Sequence, residues 1–456
     1  MSFARSLYSR SFTQAPPGAV REVALLAYPI IIQTLAETLM HVIDTAMVGK
    51  LGTTALGAVG FSGTWIWTLL VPFAGISSGV QTFVSRHHGA KQEKQCGAWV
   101  WHAFWITLPA IVLWSVLVTL ALPYLFGAIV SDPEMRQLAV SYGIGRMPGG
   151  PAVVMEFALC GFFRGIGDTR TPLIAALLGV FVNFVMAYLL IFGHYGFPEL
   201  GIAGAGIAQS IGSYVIGGVL LYVFLSKQLR ARFGTAPRGV DGSALMRFAY
   251  TSAPIGGQWL LDMTTFAIFT SVVARMGTAA MAASQAMLQL LALSFMQAVA
   301  IATAAGTLVG RYLGAGDLAA ASRSYRSAVV LALGLASAVG ILFIAAPEAL
   351  LGLFASDHEV LALARPLLGL GAFFQVVDAL GIVAAGSLRG AGDTRWPFML
   401  QAALAWFLRI PAVYLGAIVL GGGVFGAWGG ELAYTSVLGG VLMRRFRAGN
   451  WQCATI

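Results

Sequence analysis

Charged residues are scarce in this 456-residue chain: Asp, Glu, Lys and Arg together make up 10% of it, while hydrophobic residues make up 58%. A soluble domain carries about 25% charged residues. So few charges cannot cover the surface of a soluble protein of this length, and the mean hydropathy of +0.82 agrees. The composition therefore argues against a soluble protein and predicts that lipid surrounds most of the chain.

Cysteines and catalytic motifs are scarce as well. The three cysteines, Cys96, Cys160 and Cys453, lie far apart and match neither a disulfide framework nor a metal-binding pattern. The chain contains no GxxxxGKS/T phosphate loop, no HExxH segment and no CxxC segment. We therefore expect no enzyme activity, assign no catalytic residue and expect no cofactor.

What the chain does contain is a repeat. Residues 164–172 read RGIGDTRTP and residues 389–397 read RGAGDTRWP, an offset of 389 − 164 = 225. The same offset, with no gap, pairs Pro29 with Pro254, Gln33 with Gln258, Glu37 with Asp262, Gly52 with Gly277, Arg86 with Arg311, Gly89 with Gly314 and Gly201 with Gly426. A ladder of matches this long indicates two copies of one unit.

Each copy holds six apolar stretches long enough to cross a bilayer, for which about 20 residues are needed. The first six lie near 23–48, 56–84, 98–122, 136–162, 172–193 and 201–226, and the second six near 246–274, 281–311, 323–347, 359–386, 396–420 and 424–443. The predicted fold class is all-α integral membrane, with twelve transmembrane helices in two pseudo-symmetric six-helix lobes. Because six is even, both copies enter from the same side, as parallel repeats do.

The basic residues predict the topology. With the N-terminus inside, 21 of the 27 Lys and Arg residues fall in cytoplasmic segments; the others are Lys50, Arg136, Arg146, Arg275, Arg365 and Arg409. We expect a bacterial inner-membrane protein with both termini cytoplasmic. The predicted divisions are a tail at 1–22, a first lobe at 23–226, a cytoplasmic linker at 227–245, a second lobe at 246–446 and a tail at 447–456.

The N-terminal residues leave one alternative open. The first 20 residues are polar, with Arg5 and Arg10, and no acid occurs before Glu22. This composition weakly resembles a transit peptide. A cytoplasmic tail before the first span gives the same pattern and is the interpretation we favour.

The two RGxGDTRxP segments each join a fourth span to a fifth. Gly permits a tight turn, Asp can cap the following helix, and Pro fits its first turn. The segments are therefore either well-formed loops or gates that close the cytoplasmic side. The candidate gate residues are Arg164, Asp168, Arg389 and Asp393.

Acidic residues inside the apolar spans are the main functional signal. Asp378 and Asp262 lie near the middle of spans 10 and 7, and Asp44 lies in the outer half of span 1. A carboxylate at this depth costs a few kcal/mol or more, so it needs a partner, a proton or a cation. Glu37 and Glu156 are weaker candidates, because a buried acid can also serve helix packing.

Polar and aromatic residues near these acids are candidate ligands. Asn183 and Gln285 could complete a cation shell around the acids, and His41 lies three residues before Asp44. Aromatic faces near an acid attract organic cations. The candidates for a substrate cavity are Gln33, Glu37, Gln258, Trp259, Gln289, Phe374 and Gln375.

These residues resemble the multidrug and toxic compound extrusion (MATE) family, and its NorM-like branch in particular. Gln375, Asp378 and the segment AAGSLRG at 384–390 are similar to that family's Q-x-x-D…AAGSLRG segment. Pro254 followed eight residues later by Asp262 is similar to the NorM pattern, where Glu is usual. Pro29, Gln33, Asp44 and Gly49 resemble the family's opening segment.

The resemblance implies a two-lobed antiporter that exports cationic or amphiphilic drugs in exchange for Na⁺ or H⁺ by rocking alternating access. It implies a second-lobe cation site at Asp262 and Asp378, where Na⁺ could bind, and a first-lobe site at Asp44 with Asn183. Relatives often carry Asp or Asn where this chain has Ala187, so the first-lobe site has one ligand fewer. The expected partners are organic cations and the bilayer, without nucleic acid, and the expected state is a monomer.

Four other functions remain open from the sequence. A flippase for lipid-linked sugars, or an organic-anion exporter, would need basic residues in its cavity, for which Arg146 and Arg409 are the candidates. A passive channel would show no saturable exchange. A structural scaffold would leave the mid-span acids unexplained.

Overall fold

The computed structural model describes residues 16–352 and 358–453, and within them the secondary structure is entirely helical. Arg5 and Arg10 of the predicted tail lie outside these residues. Twelve long helical segments follow one another along the described chain, as the sequence predicts.

The first six are α1 (Val20–Gly49), α2 (Thr53–Ser78, continued as Val80–Gly89), α3 (Glu93–Ile129), α4 (Pro133–Arg146, then a 3₁₀ turn and Gly150–Gly165), α5 (Arg170–Phe192) and α6 (Gly201–Phe224). The second six are α7 (Gly242–Ala274), α8 (Thr278–Gly314), α9 (Leu318–Ala345), α10 (His358–Gly390), α11 (Arg395–Leu404, continued to Val419) and α12 (Gly423–Arg447). Short helices Lys227–Phe233 and Pro347–Leu351 lie between them.

Nine helices of the described chain are long and apolar enough to cross a bilayer by length and composition. The remaining three are α4, which a 3₁₀ turn at Met147–Gly149 interrupts, α7 and α12. These three carry Arg146, Asp262 and Glu431.

The helix boundaries confirm the repeat. Subtracting 225 from the limits of α8 gives 53–89, the limits of α2, and subtracting it from those of α10 gives 133–165, the limits of α4. The turn glycines of the RGxGDTRxP segments also agree, with φ of +89° at Gly167 and +87° at Gly392. The backbone thus repeats as the sequence does.

The chain divides into two compact units. The N-unit is Ile32–Leu261, and the C-unit takes the chain up to Ile31 and from Asp262 onward. The divisions fall inside α1 and α7 and not at the polar linker. The first turns of α1 therefore belong to the C-unit, and the first turns of α7 belong to the N-unit. The lobe boundaries drawn from sequence stay a prediction.

Each unit has its own apolar core. In the N-unit one cluster holds Phe83, Phe162, Phe224 and Phe248, all fully buried. In the C-unit, Val23 and Leu26 of α1 pack with residues of α8, α9 and α10. Shape-matched packing of this kind holds helices together where lipid supplies no hydrophobic driving force.

Glycines bring α8 and α10 of the C-unit close together. A Cβ on Gly386 would lie 2.7 Å from the carbonyl oxygen of Ala302, and a Cβ on Gly390 would collide with the backbone of Gly306. No such contact exists at Gly334 on α9, where a Cβ would meet nothing within 4 Å.

We expect Gly390→Ala to lower the free energy of unfolding by about 1–3 kcal/mol, because overpacking forces the two backbones apart. Gly334→Ala is the matched control and should be neutral or stabilising by about 0.5–1 kcal/mol. Unfolding of the purified protein in detergent measures both. Equal stability of the two variants would contradict this packing.

Candidate functional site

Asp262 of the C-unit accepts a hydrogen bond from a residue far along the chain. Gln401 of α11 donates from Nε2 to Asp262 Oδ1 at 2.6 Å. The charges that act on Asp262 come mainly from Arg409 and Arg389, with an opposing contribution from Glu431. Asp262 therefore lies among charged groups of α10, α11 and α12.

A buried ion pair lies beside Asp262. Arg409 donates to both carboxylate oxygens of Glu431, from Nε to Oε2 at 2.8 Å and from a terminal nitrogen to Oε1 at 2.5 Å, and both residues are 7% exposed. Its other terminal nitrogen contacts the Thr265 hydroxyl, and the guanidinium lies 5.0 Å from the centre of the Tyr434 ring. A π-helical turn at Ala405–Arg409 ends at this arginine, and such turns are frequent at functional sites.

Asp378 makes no hydrogen bond within the part of the chain that the structure describes. The charges that act on it are those of Glu431, Asp262 and Arg409. Three carboxylates therefore share two guanidiniums, those of Arg409 and Arg389. When all are ionised, this C-unit cluster retains one negative charge, and it can bind one monovalent cation or proton.

Gln375 lies one turn before Asp378 on α10. Its side chain is 3% exposed, and neither amide atom has a hydrogen-bond partner among the described residues. A buried amide without partners costs about 1–3 kcal/mol. The residue is thus an unused donor and acceptor on the helix that carries Asp378.

Asp44 of the N-unit accepts hydrogen bonds from two amides. Asn183 Nδ2 lies 2.9 Å from Asp44 Oδ1 and 3.0 Å from Oδ2, and Gln209 Nε2 lies 3.0 Å from Oδ2. Gln209 in turn accepts from the Tyr142 hydroxyl at 3.0 Å and contacts His41 Nδ1 at 3.0 Å. The predicted neighbours Asp44 and Asn183 are therefore in direct contact.

The amide oxygen of Asn183 has no hydrogen-bond partner in the described chain, and the residue is fully buried. Ala187, one turn later, is also fully buried and packs in an apolar cluster. Gln209 supplies the further polar contact to Asp44 from α6. An amide oxygen beside a carboxylate is a suitable pair of ligands for a hard cation.

The N-unit has the same balance of charge as the C-unit. Gln33 Nε2 donates to Glu37 at 2.9 Å, and Arg164 donates to Gln33 Oε1 at 3.0 Å. Arg164 and Arg146 both act on Glu156, and Arg146 also acts on Asp44. Three carboxylates again share two guanidiniums. The repeat-related pairs Glu37 with Arg164 and Asp262 with Arg389 interact electrostatically in both units.

The RGxGDTRxP segments both form turns, and the first copy is capped by its aspartate. In the first copy, Asp168 accepts from the backbone N–H groups of Arg170 and Thr171 at 3.1 and 3.0 Å and from the Thr171 hydroxyl at 2.6 Å. This confirms the predicted cap on α5. In the second copy, Asp393 pairs with Arg445 of α12 at 2.6 Å. The two loops are thus alike in backbone and different in side-chain contacts.

Several predicted candidates form no hydrogen bond to an acid among the described residues. Gln285 and Gln289 of α8 make no hydrogen bond within the described residues, and Gln289 is exposed. Trp259 packs edge-on against Phe157, and Phe374 packs edge-on against Trp428. Gln258 is buried in the N-unit. These aromatic rings therefore meet other aromatic rings in their own units.

Other polar residues of the site were not singled out from the sequence. They are Gln401, Glu431 and Tyr434 in the C-unit and Tyr142 and Gln209 in the N-unit. Glu431 and Arg409 carried a usable signal, because a mid-span acid and a mid-span base tend to pair. The two glutamines could not be identified from the sequence, because only their tertiary contacts distinguish them from other glutamines of the chain.

A GxSxG letter pattern at 75–79 does not form a nucleophile site. Ser77 lies inside α2, is fully buried and contacts the Thr107 hydroxyl at 3.3 Å. A serine nucleophile of this pattern requires an exposed turn between a strand and a helix. Among the described residues, no group of three His, Cys, Asp or Glu side chains is placed to hold a metal ion.

We expect Asn183→Ala to lower the free energy of unfolding by about 1–3 kcal/mol, because Asp44 then loses its contacts to that amide inside the protein. Asn450→Ala, at an exposed position, is the control and should change it by less than about 0.5 kcal/mol. Chemical unfolding in detergent measures both. An unchanged Asn183→Ala variant would contradict the buried network.

Comparison with known proteins gives consistent matches over almost the whole chain. The profile of the MatE family matches residues 29–189 and 254–415. A probable multidrug resistance protein NorM of Thermotoga maritima is 28% identical over 448 residues, covering 96% of this chain and 94% of its own length. The multidrug resistance protein NorM of Burkholderia vietnamiensis is 30% identical over 456 residues, covering 95% of each.

The solved structures give the same result for the fold. The crystal structure of a MATE protein in the straight conformation superposes with a TM-score of 0.87 at 19% identity, covering 96% of this chain and 97% of the other. The matched segments of the profile begin at Pro29 and Pro254 and are separated by the repeat offset. The likeness therefore extends to both copies of the repeat.

Proposed function

The chain belongs to the MatE family, and we propose that it is a secondary multidrug antiporter that exports organic cations and amphiphilic drugs in exchange for Na⁺ or H⁺. Its relatives named NorM are multidrug resistance proteins. Parallel repeats of six helices suit alternating access, in which one cavity opens to each side in turn. The protein works as a multi-pass protein of the bacterial inner membrane, with both termini cytoplasmic, and as a monomer.

The observation that carries the proposal is the uncompensated charge of the C-unit. Arg409 is held by Glu431, while Asp378 has no hydrogen bond among the described residues and Asp262 has one, from Gln401. The remaining negative charge is costly in a low-dielectric interior unless a cation or proton neutralises it. A coupling ion and an organic cation can each do so, and they therefore exclude each other.

The exchange follows from this competition. A coupling ion at Asp262 and Asp378 removes the charge that holds the organic cation, and the drug is released. In one-for-one exchange a tenfold ion gradient, about 1.4 kcal/mol, sustains at most a tenfold drug gradient. If the Asp44 site of the N-unit takes a second ion, one net charge enters per drug, and the membrane potential adds about 2.3 kcal/mol per 100 mV.

The turns at Arg164–Asp168 and Arg389–Asp393 are the proposed gate segments. Arg164 reaches Gln33, one turn before Glu37, while Arg389 interacts with the charge of Asp262. The arginine of each gate segment thus interacts with an acid of its own unit, directly or through a glutamine. A change in the charge of that acid alters the interaction that holds the gate segment in place.

The second candidate is an organic-anion exporter or a flippase for a phosphate-bearing lipid. One observation favours it: a buried terminal nitrogen of the half-buried Arg146 has no hydrogen-bond partner in the described chain. Against it, Asp44 and Glu156 both act on this arginine, and Arg409 is occupied by Glu431. The basic groups are therefore largely compensated, and an anion would find no net positive charge.

Transport by proteoliposomes distinguishes these candidates. Vesicles are loaded in parallel with a fluorescent organic cation, an anionic dye of similar size and a headgroup-labelled lipid. The proposal expects saturable movement of the organic cation alone. Faster movement of the anionic dye or of the labelled lipid would favour the second candidate and reject the antiport of cations.

A further inference from the structure

Two segments of the N-unit lie side by side at one end of its helices. The turn between α2 and α3 is one, and the linker after α6 is the other. Trp101 Nε1 donates to the Thr235 carbonyl and Trp105 Nε1 donates to the Arg238 carbonyl, both at 3.1 Å. Arg238 in turn donates to the Lys94 carbonyl at 3.2 Å. The linker is thus fastened along the start of α3.

The short helix Lys227–Phe233 completes this surface. Its Phe233 is 1% exposed and packs in the apolar core of the N-unit, while its basic residues face outward. An open groove of about 640 Å³ lies between this helix and the turn before α3, and its charged lining residues are Lys91, Glu93 and Lys94 of the turn and Arg232 of the helix. The shape is built by defined contacts and is not a loose loop.

Five cations on this surface are exposed and form no ion pair with a carboxylate within the described residues. We call them the basic rim; they are Lys91, Lys94, Arg230, Arg238 and Arg247. The Arg247 guanidinium lies 5.8 Å from the centre of the Trp99 ring. The rim therefore presents a concentration of positive charge without internal neutralisation.

The acids near the basic rim are already engaged. Glu93 accepts two hydrogen bonds from Arg232, both at 2.9 Å, and lies 3.5 Å from His88. Asp241 accepts from the backbone N–H groups of Ser243 and Ala244 at the start of α7. Neither carboxylate forms an ion pair with a rim cation among the described residues, so the rim cations are available to an external anion.

Exposed apolar side chains lie near the rim cations: Val240 and Met246 are close to Arg238 and Arg247 in sequence, and Trp105 donates a hydrogen bond to the Arg238 carbonyl. Val240 is 61% exposed, Met246 is 70% exposed and Trp105 is 48% exposed. Apolar and aromatic side chains next to Lys and Arg are typical of the level of lipid headgroups. This neighbourhood suits a ligand that has both an anionic group and an acyl chain.

The repeat does not reproduce this surface. At the offset of 225, Lys91 corresponds to Gly316 and Lys94 to Ala319. The corresponding turn of the C-unit therefore lacks both lysines. These two lysines of the basic rim are therefore not a by-product of the duplicated fold.

We propose that the basic rim binds the phosphate group of an anionic phospholipid, whose acyl chains lie beside Trp105 and Met246. Each Lys or Arg near an anionic membrane contributes about a fivefold gain in binding. The lipid fastens the linker between the two halves of the chain to the membrane surface. This proposal is independent of the transported substrate.

The test compares two triple variants of the full chain. Lys94→Gln/Arg230→Gln/Arg238→Gln removes three rim cations, and the control Arg326→Gln/Arg444→Gln/Arg447→Gln removes three exposed cations of the C-unit. Each protein is equilibrated with equal amounts of phosphatidylglycerol and phosphatidylcholine. Native mass spectrometry then gives the ratio of the two lipids retained on the folded protein, so a lower yield does not affect the result.

The unaltered protein and the control should retain phosphatidylglycerol preferentially. In the rim variant the ratio of retained phosphatidylglycerol to phosphatidylcholine should be at least about tenfold lower. The same preference in the rim variant and the control would overturn the proposal. A parallel arm adds millimolar inorganic phosphate. If inorganic phosphate displaces the lipid completely, the rim is a site for free anions and the lipid assignment is wrong.

Discussion

Asp378→Asn is expected to abolish gradient-driven efflux of an organic cation from proteoliposomes. At a tenfold inward ion gradient, the unaltered protein should sustain up to about a tenfold ratio of organic cation across the membrane, and the variant should sustain none. The reason is the charge balance of the C-unit, where three carboxylates share two guanidiniums. Removing one carboxylate makes the cluster neutral and leaves nothing for a cation to compensate.

The control for this experiment is Glu199→Gln, the same chemical change at an exposed carboxylate between α5 and α6. It should transport like the unaltered protein. Asn is close to Asp in size, so the unfolding midpoint of Asp378→Asn should not fall, and a lost activity then reports the charge. Efflux by Asp378→Asn at the control's level would exclude Asp378 from coupling.

Arg409→Met is expected to cost about 3–5 kcal/mol in the free energy of unfolding, the largest stability effect that we predict. It leaves Glu431 buried at 7% exposure without its bidentate partner, close to two further carboxylates. The double variant Arg409→Met/Glu431→Met removes both charges. It should recover most of the loss, because apolar side chains of similar size replace a buried pair well. Chemical unfolding in detergent measures all three proteins.

The exposed pair Arg365–Glu348 is the matched comparison. Its atoms are 3.3 Å apart, and its side chains are 65% and 80% exposed. Arg365→Met should therefore change the free energy of unfolding by no more than about 1 kcal/mol. A double variant at 409 and 431 as unstable as the single one would mean that the arginine stabilises the fold by packing and not by pairing.

The fold could be predicted because its signals can be read from the sequence without knowledge of tertiary contacts. The offset of 225 indicates the repeat, and the helix limits of α2 and α8 agree with it to the residue. Apolar length predicts the spans, and Gly167 and Asp168 predict the turn that they form.

The site was predicted only in part. The acids themselves stand out, because a carboxylate in an apolar span is rare, and Asp44 with Asn183 was expected from the family resemblance. Gln401, which reaches Asp262 from 139 positions away, could not be identified because only the packing of α7 against α11 selects it. Gln285 was a reasonable ligand by residue type, yet in the folded chain it makes no hydrogen bond among the described residues.

The lobe boundaries stay a prediction. The polar linker suggests a boundary near 227–245, while the two compact units divide inside α1 and α7, after Ile31 and Leu261. Pro29 and Pro254 lie inside these helices close to the divisions. Composition marks a linker, but it does not record which half of the chain a helix turn packs against.

Drug-driven ion movement tests the central claim most directly, namely that one negative charge is neutralised in turn by a drug and by a small cation. Proteoliposomes are loaded with an organic cation, with Na⁺ and pH equal on both sides, and ion entry is followed as the drug leaves. The account predicts that Na⁺ or H⁺ enters against its own developing gradient. Drug release with no accompanying ion entry would contradict it.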